Sequence, residues 1–440
     1  MSFARAGAVY AVANIAAAVL PFLLLPLLTR ALGPVEYGQV VSFALIMTLC
    51  GTIAGMNVHG AMGMIWFRKP VEEVPAYVGS AMALAVLSAL IVVPFVMLLL
   101  YFAPGAGSGL APIWGAAAAL AAGANIILQT RLVLWQSQHR PLLSGALQVG
   151  ASALNFALSL AGVFALHLGA AGRNGGIALS AGLVVLICLA TFAAAGEIRW
   201  QPRRAHIVTL ISFGAPLILH GFGAVLLSTA DRWAVSIKLD AAALGIYGAG
   251  AQLGMLMSIV GDAFVKAFSP WLYGKLKSNT EEDRLFAVGA VYGSIPAFLL
   301  IASGLGVFLH LTSGIILGPR FHEATAILPW FMLGGAFAGV YLCTAGLYFY
   351  AARTGLLATV SLSAGSVGAI CTWFLVSAFD LQGAAMGFAL TQAFLAAGST
   401  LVAFRTFDLP WSFPRAALET WGGSLVAPLR RRFPRQQDRS

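Results

Sequence analysis

Residues 14–38 read N-I-A-A-A-V-L-P-F-L-L-L-P-L-L-T-R-A-L-G-P-V-E-Y-G, an apolar run with Pro21 and Pro26 inside it and a first charge at Arg30. A Leu-Gly-Pro turn then leads into Glu36-Tyr37-Gly38. Proline inside a helix removes a backbone hydrogen bond and presses on the preceding turn, so this run is expected to kink or break. In a bilayer such breaks persist where neighbouring helices or a watery cavity satisfy the freed carbonyls. The same plan returns near mid-chain. Gly214-Ala215-Pro216 interrupts an apolar run, Asp231-Arg232 closes it, and Leu244-Gly245-Ile246-Tyr247-Gly248 opens the next. Interrupted segments at matching places in two halves point to a transporter's binding region, which makes Pro21, Pro26 and Pro216 candidate hinges.

The chain has 440 residues, 60% hydrophobic and 9% charged, where a soluble domain has about 25% charged residues. No soluble core hides that much apolar surface, so the fold class is an all-α polytopic membrane protein. The net charge of +10 comes from basic residues scattered between apolar runs. That pattern fits cytoplasmic loops and argues against a nucleic-acid partner. Cys50, Cys188, Cys343 and Cys371 stand singly in apolar runs, without metal-ligand spacing, and read as packing residues. Neither a metal nor a cofactor is expected. The first apolar run is too long for a signal peptide and reads as a retained helix.

A spanning helix needs about 20 mostly apolar residues. Twelve stretches qualify. The first six are Ala6–Thr29, Gln39–Trp66, Val78–Ala103, Pro112–Gln136, Leu142–Leu168 and Gly176–Ala195. The second six are Ile207–Thr229, Ala242–Lys266, Leu285–Leu311, Ala324–Tyr348, Leu356–Phe379 and Gly383–Ala403. With the N-terminus in the cytoplasm, 20 lysines and arginines fall on the cytoplasmic side and 5 on the other, which places both termini inside. The expected layout is a six-helix lobe over 1–198, a second over 199–406, and a basic amphipathic cytoplasmic tail over 407–440. Tyr37 and Tyr247 occupy matching turns, and an even helix number per lobe makes the repeat parallel. In the tail, Trp411, Phe413 and Trp421 precede Arg430-Arg431-Arg432, which suits either an interfacial segment touching membrane lipids or a disordered basic end.

Catalytic signatures are missing: no G-x-S-x-G elbow, phosphate loop, H-E-x-x-H helix or carboxylate pair is present, so an enzyme is not expected. Polar groups at membrane depth are the candidates instead. Ser144, Gln148, Ser152, Asn155 and Ser159 share one face of the fifth stretch, either as a lining that hydrogen-bonds sugar hydroxyls or as packing between helices. Asp262 and Lys266 are four residues apart and suit an internal ion pair, used in ion coupling or merely snorkelling to the interface. Asn125 and Gln129 share a face, with Arg131 pointing elsewhere. Arg30 and Arg232 end matching stretches and suit either phosphate binding or interfacial anchoring. His59 and His220 are candidate proton carriers or plain packing residues.

The turn Thr29-Arg30-Ala31-Leu32-Gly33-Pro34-Val35-Glu36-Tyr37-Gly38 resembles that of bacterial polysaccharide repeat-unit flippases, the O-antigen and exopolysaccharide translocases. Asp231-Arg232, Gly245-Ile246-Tyr247-Gly248 and Leu317-Gly318-Pro319-Arg320-Phe321 fit the same resemblance. These flippases belong to the multidrug/oligosaccharidyl-lipid/polysaccharide exporter superfamily. The resemblance implies two six-helix lobes around a cavity in the bacterial inner membrane. It implies alternating access, coupled to a cation gradient, that moves oligosaccharide units linked to undecaprenyl diphosphate. A polysaccharide polymerase and chain-length machinery are the implied partners, in lipopolysaccharide or exopolysaccharide biosynthesis. On that basis Arg30, Arg131, Arg232 and Lys266 are expected at the diphosphate, and Gln148, Ser152 and Asn155 at the sugar. Asp262, His59 and His220 are the ion-coupling candidates. The competing readings are a drug/cation antiporter of the same superfamily, a membrane polysaccharide polymerase and a fourteen-helix lipid II flippase. The first lacks deep carboxylates here, the second lacks a large basic outer loop, and the third needs a less polar tail.

Overall fold

The computed structural model describes residues 3–278 and 280–422, with the side chains of residues 3–8, 11, 18, 106, 216, 217, 219 and 220 outside that description. Twelve α-helices follow in order: α1 Phe3–Ala31, α2 Pro34–Gly55, α3 Val58–Arg68, α4 Val74–Phe102, α5 Pro112–Ser137 and α6 Pro141–Leu160. Then come α7 Gly169–Ala194, α8 Arg204–Lys238, α9 Ala241–Ser278, α10 Glu281–Ile316, α11 Ala324–Tyr350 and α12 Thr354–Thr406. These helices do not map one to one onto the twelve apolar stretches. Ten segments among the described residues are long and apolar enough to cross a membrane, and α2 and α3 together form one of them. A span count of twelve needs α8 to cross as well and α12 to count twice. At 53 residues, α12 would be about 80 Å long as a straight rod, against a hydrocarbon core of ~30 Å. Its backbone leaves the helical region at Phe379 and Asp380.

The expected breaks at proline are not breaks. α1 is assigned as helix straight through Pro21 and Pro26, and α8 continues through Gly214-Ala215-Pro216. A proline costs one internal hydrogen bond and bends the rod without ending it when neighbours hold both sides. The interruption lies instead in the second apolar stretch, where Met56 (φ 40°) and Asn57 (φ 48°) take the left-handed conformation between α2 and α3. Ser88 Oγ donates to the Ala54 carbonyl at 2.9 Å just before this break, the side-chain repair that broken helices in lipid require.

The packing forms two compact units. The first holds the described residues up to Ala249 with Ser313–Thr325; the second holds Gly250–Thr312 with the described residues from Ala326 on. α8 and the start of α9, grouped by sequence with the second half, therefore pack in the first unit. There α2 opens with Pro34 at its first position, and its Gly33 amide donates to Glu36 Oε2 at 3.2 Å. The Asp240 carboxylate likewise accepts the Ala243 amide at the start of α9, at 2.7 Å. The two openings cross reciprocally. A Cβ built on Gly38 would lie 1.8 Å from the Ala241 carbonyl oxygen, and one on Gly245 would lie 2.0 Å from that of Pro34. Only glycine allows such backbone contact. Tyr247 donates to the buried Asp231 carboxylate at 2.7 Å and so ties α9 to α8. The loop at Leu317-Gly318-Pro319-Arg320-Phe321 seals the same junction. Its Gly318 amide donates to Thr29 Oγ1 at 3.0 Å, and Phe321 meets Tyr37 edge-on at 5.5 Å.

In the second unit the two arms of α12 fold back on each other, with Gly368 against Thr391 and Gly387 against Thr372. Residues 414–422 are helical, and Ala417 and Trp421 lie on Gly289 and Gly293 of α10, so this part of the tail is packed. Arg430, Arg431, Arg432 and Arg435 lie outside the described residues. Adding a methyl group at the crossing, by Gly38→Ala or Gly245→Ala, is expected to cost about 1–3 kcal/mol through overpacking. Gly150→Ala in α6, where nothing lies within 4 Å of a built Cβ, is expected to leave stability unchanged or raise it by up to about 1 kcal/mol. Thermal unfolding of the purified protein in detergent checks both.

Candidate functional site

The first unit holds a cavity of about 290 Å³ bordered by α1, α2, α5, α6 and α7, with polar side chains set among apolar ones. Gln148, Ser152 and Asn155 of α6 line it, and Asn125 and Gln129 of α5 lie across from them. The flanking members of the α6 stripe, Ser144 and Ser159, are buried. Gln148 Nε2 donates to Asn14 Oδ1 of α1 at 2.8 Å. Ala17 and Pro21 also border this space. Pro21 has no N–H to offer the Ala17 carbonyl, so backbone polarity is left where a cavity can meet it.

α6 ends in a π-helical turn, Ala161–Ala165, and the chain reverses through His167, which has a φ of 53°. Gly162 in that turn packs directly on Gly172, so α7 returns beside α6. Arg173 is thereby carried to the cavity wall, where Nη1 donates to Asn155 Oδ1 at 2.6 Å and also to Ser159 Oγ. Sequence reasoning missed Arg173 because it began this helix at Gly176 and left the arginine in a loop. The signal was present: with the helix starting at Gly169, Arg173, Ile177, Ser180 and Val184 share one face and all border the cavity.

A second cavity of about 580 Å³ adjoins the first through Met47, Asn125 and Gln129. Thr48, Thr52, Asn57 and His59 line it, together with Ile218 and Gly221 of α8. The α2–α3 break thus delivers both Asn57 and His59 to this space. His59 Nδ1 is buried without a hydrogen-bond partner. No carboxylate lines either cavity among the described residues. The side chains of His220 and Pro216 lie outside the described residues.

Three comparisons bear on this arrangement. A family model described as "Polysaccharide biosynthesis protein" matches residues 3–273. A protein of the Lsg locus of Haemophilus influenzae is 22% identical over 372 residues, covering 80% of this chain and 86% of its own. A second membrane protein of that organism, uncharacterized, is 23% identical, covering 64% of this chain and 67% of its own. Among solved structures, the lipid II flippase MurJ in an inward closed conformation aligns with a TM-score of 0.71 at 14% identity, over 95% of this chain and 90% of that one. An inward-facing multidrug resistance MATE family transporter of the MOP superfamily aligns with a TM-score of 0.64 at 13% identity, over 90% and 94%. At these identities the structural likeness establishes the fold alone.

The four basic residues expected at the diphosphate do not line the two cavities. Arg30 is exposed at the end of α1, where it donates to the carbonyls of Pro26, at 2.9 Å, and Ile315. Its charge clamps the sealing loop. Arg232 donates to the Ser228 carbonyl of its own helix. Asp262 and Lys266 are both exposed on α9, and the expected ion pair between them does not form. Exposed partners gain little from pairing and lose side-chain entropy. Arg131 is 1% exposed and pairs with Glu197, between the rings of Trp135 at 4.2 Å and Phe192 at 4.4 Å. It is a structural cation already neutralised. Removing one partner, by Arg131→Ala or Glu197→Ala, is expected to cost about 3–5 kcal/mol by leaving a buried charge alone. The double replacement by leucine is expected to recover most of that loss. Folded yield and melting temperature in detergent are the readouts.

Proposed function

Because the chain belongs to the polysaccharide biosynthesis protein family, we propose that it flips undecaprenyl-diphosphate-linked oligosaccharide repeat units across the bacterial inner membrane. The observation that carries this reading is the pair of adjoining cavities inside an apolar bundle, where the side-chain amides of Asn125, Gln129, Gln148 and Asn155 stand among apolar residues. Sugar hydroxyls donate and accept, and so do the amides of Asn125, Gln129, Gln148 and Asn155, so a glycan would exchange water for these groups at little cost. A lipophilic organic cation would instead call for a carboxylate, and no described carboxylate borders the cavities. The polyprenyl chain stays in the lipid while the polar head crosses.

With the termini in the cytoplasm, the junction of α1, α2, α9 and the 313–325 loop faces outward. Alternating access then requires the Gly38–Gly245 crossing to part and the cytoplasmic side to close. Coupling to a cation gradient would act through His59, which reaches the second cavity, with Asp262 as the acidic candidate. The released units would feed a polymerase and its chain-length partner in lipopolysaccharide or exopolysaccharide synthesis.

The test is translocation of a lipid-linked oligosaccharide by purified protein in liposomes, read by access of a glycan-modifying enzyme outside the vesicles. Gln148→Leu and Asn155→Leu each remove hydrogen-bonding capacity at similar volume and are expected to slow translocation by about tenfold or more, the scale of one or two lost hydrogen bonds. Collapse of the sodium and proton gradients is expected to slow the wild type. Undiminished translocation by both variants would overturn the assignment of the cavity. Absence of translocation by the well-folded wild type would overturn the function.

A further inference from the structure

We propose that the surface made by the 69–73 turn and the 195–203 linker binds an anionic phospholipid of the surrounding bilayer. Its phosphates sit among Lys69, Arg199 and Arg203, and its acyl chains run beside Phe67 and Trp200. The inference stands apart from the transport reading and needs neither the identity nor the path of the cargo.

The first turns of α4 gather these three cations from two distant stretches of chain. Lys69 Nζ stands 5.9 Å from the centre of the Tyr77 ring, and that ring stacks on His206 of α8 at 3.9 Å. The Arg199 amide donates to the Pro75 carbonyl at 2.8 Å, and a Cβ built on Gly79 would lie 1.8 Å from the Arg199 carbonyl oxygen. The Arg203 amide donates to Ser80 Oγ at 3.4 Å. The linker is thus held to α4 through its backbone, while Lys69, Arg199 and Arg203 are exposed. Arg68 and Arg204 flank them and are exposed as well. The nearby carboxylates do not neutralise this group. Glu72 and Glu73 are exposed in the same turn without an ion pair to it, and Glu197 is taken by Arg131. Gathered like charges repel, and a bound anion removes that cost. The apolar neighbours identify the anion as a lipid. Phe67 is 71% exposed and Trp200 61% exposed, and Phe67 stands one residue from the end of the membrane-spanning segment Pro34–Arg68. Rings beside lysine and arginine at such an end sit at headgroup level, with apolar surface toward acyl chains and charge toward phosphate. A soluble anion would use the charges and leave both rings in water.

Thermal unfolding of the full-length protein, delipidated in a neutral detergent, tests this with cardiolipin, phosphatidylglycerol, phosphatidylethanolamine and soluble glycerol phosphate at constant ionic strength. The wild-type midpoint is expected to rise saturably with cardiolipin and phosphatidylglycerol, and to ignore phosphatidylethanolamine and glycerol phosphate at the same concentrations. Lys69→Gln, Arg199→Gln and Arg203→Gln combined are expected to raise the half-saturating lipid concentration by roughly tenfold or more, since each basic residue near a charged surface is worth about fivefold. Gln201→Glu places a carboxylate on the exposed linker between the two arginines and deletes no cation. It is expected to raise that concentration about fivefold, which keeps the test decisive where the triple variant folds poorly. No response to the anionic lipids, or an unchanged response in Gln201→Glu, overturns the proposal. A response to glycerol phosphate equal to that of phosphatidylglycerol overturns the lipid assignment in favour of a soluble acidic partner. Each of these failures leaves the transport reading untouched, because translocation is measured separately.

Discussion

A hydrogen-bonding group inside a bilayer must find a partner within the protein or in enclosed water. That requirement organises this molecule. α1, α5, α6 and α7 turn Asn14, Asn125, Gln129, Gln148, Ser152 and Asn155 toward one another and the cavity, while side chains such as Leu90, Leu179, Leu186 and Leu300 stay exposed. The charged groups obey the same rule by other means. Arg131 is neutralised by Glu197, Asp231 accepts from Tyr247, and Arg30 is spent on backbone carbonyls at a helix end. Arg173 is the basic side chain on the wall of the first cavity, held from one side and unpaired on the other.

The second organising feature is the junction at which three short turn motifs meet. Each looks unremarkable alone: Leu32-Gly33-Pro34, Leu244-Gly245-Ile246-Tyr247 and Leu317-Gly318-Pro319-Arg320-Phe321. In the fold, Gly38 and Gly245 let two helix openings touch backbone to backbone, and Gly318 docks on Thr29. The same junction buries Leu32, Tyr37, Leu244, Tyr247, Leu317 and Phe321, so close backbone contact and apolar burial hold it together. A separate filled core of Val58, Met62, Val78, Met82 and Phe192 lies elsewhere in the first unit.

Much of this was legible from residue spacing. The helical class, the α6 stripe and the shared face of Asn125 and Gln129 follow from a period of 3.6 in an apolar background. Proline positions misled, because a bent helix and a broken helix share the same sequence signal and only the neighbours decide between them. The real interruption, at Met56 and Asn57, carries no proline; its local signals are Gly55 just before it and Asn57 itself, a residue that tolerates the left-handed conformation. The Arg131–Glu197 pair and the Arg173–Asn155 bond join residues 66 and 18 positions apart. Pairings of that kind depend on how helices return, which no local pattern specifies. The three arginines and one lysine counted as phosphate ligands were chosen by charge and depth alone, and charge says nothing about which face a neighbour has already claimed.

The central claim is that the polar stripe of α6 faces water inside the bundle while neighbouring helix faces meet lipid. The most direct measurement is thiol labelling by a small water-soluble methanethiosulfonate, in liposomes, on a background lacking Cys50, Cys188, Cys343 and Cys371. Single cysteines at Ser152 and Asn155 sample the cavity, and those at Leu179 and Leu186 sample the exposed apolar face of α7. The account predicts fast labelling of the first pair and protection of the second. Protection of Ser152→Cys and Asn155→Cys, with labelling at the two leucine positions, would contradict it.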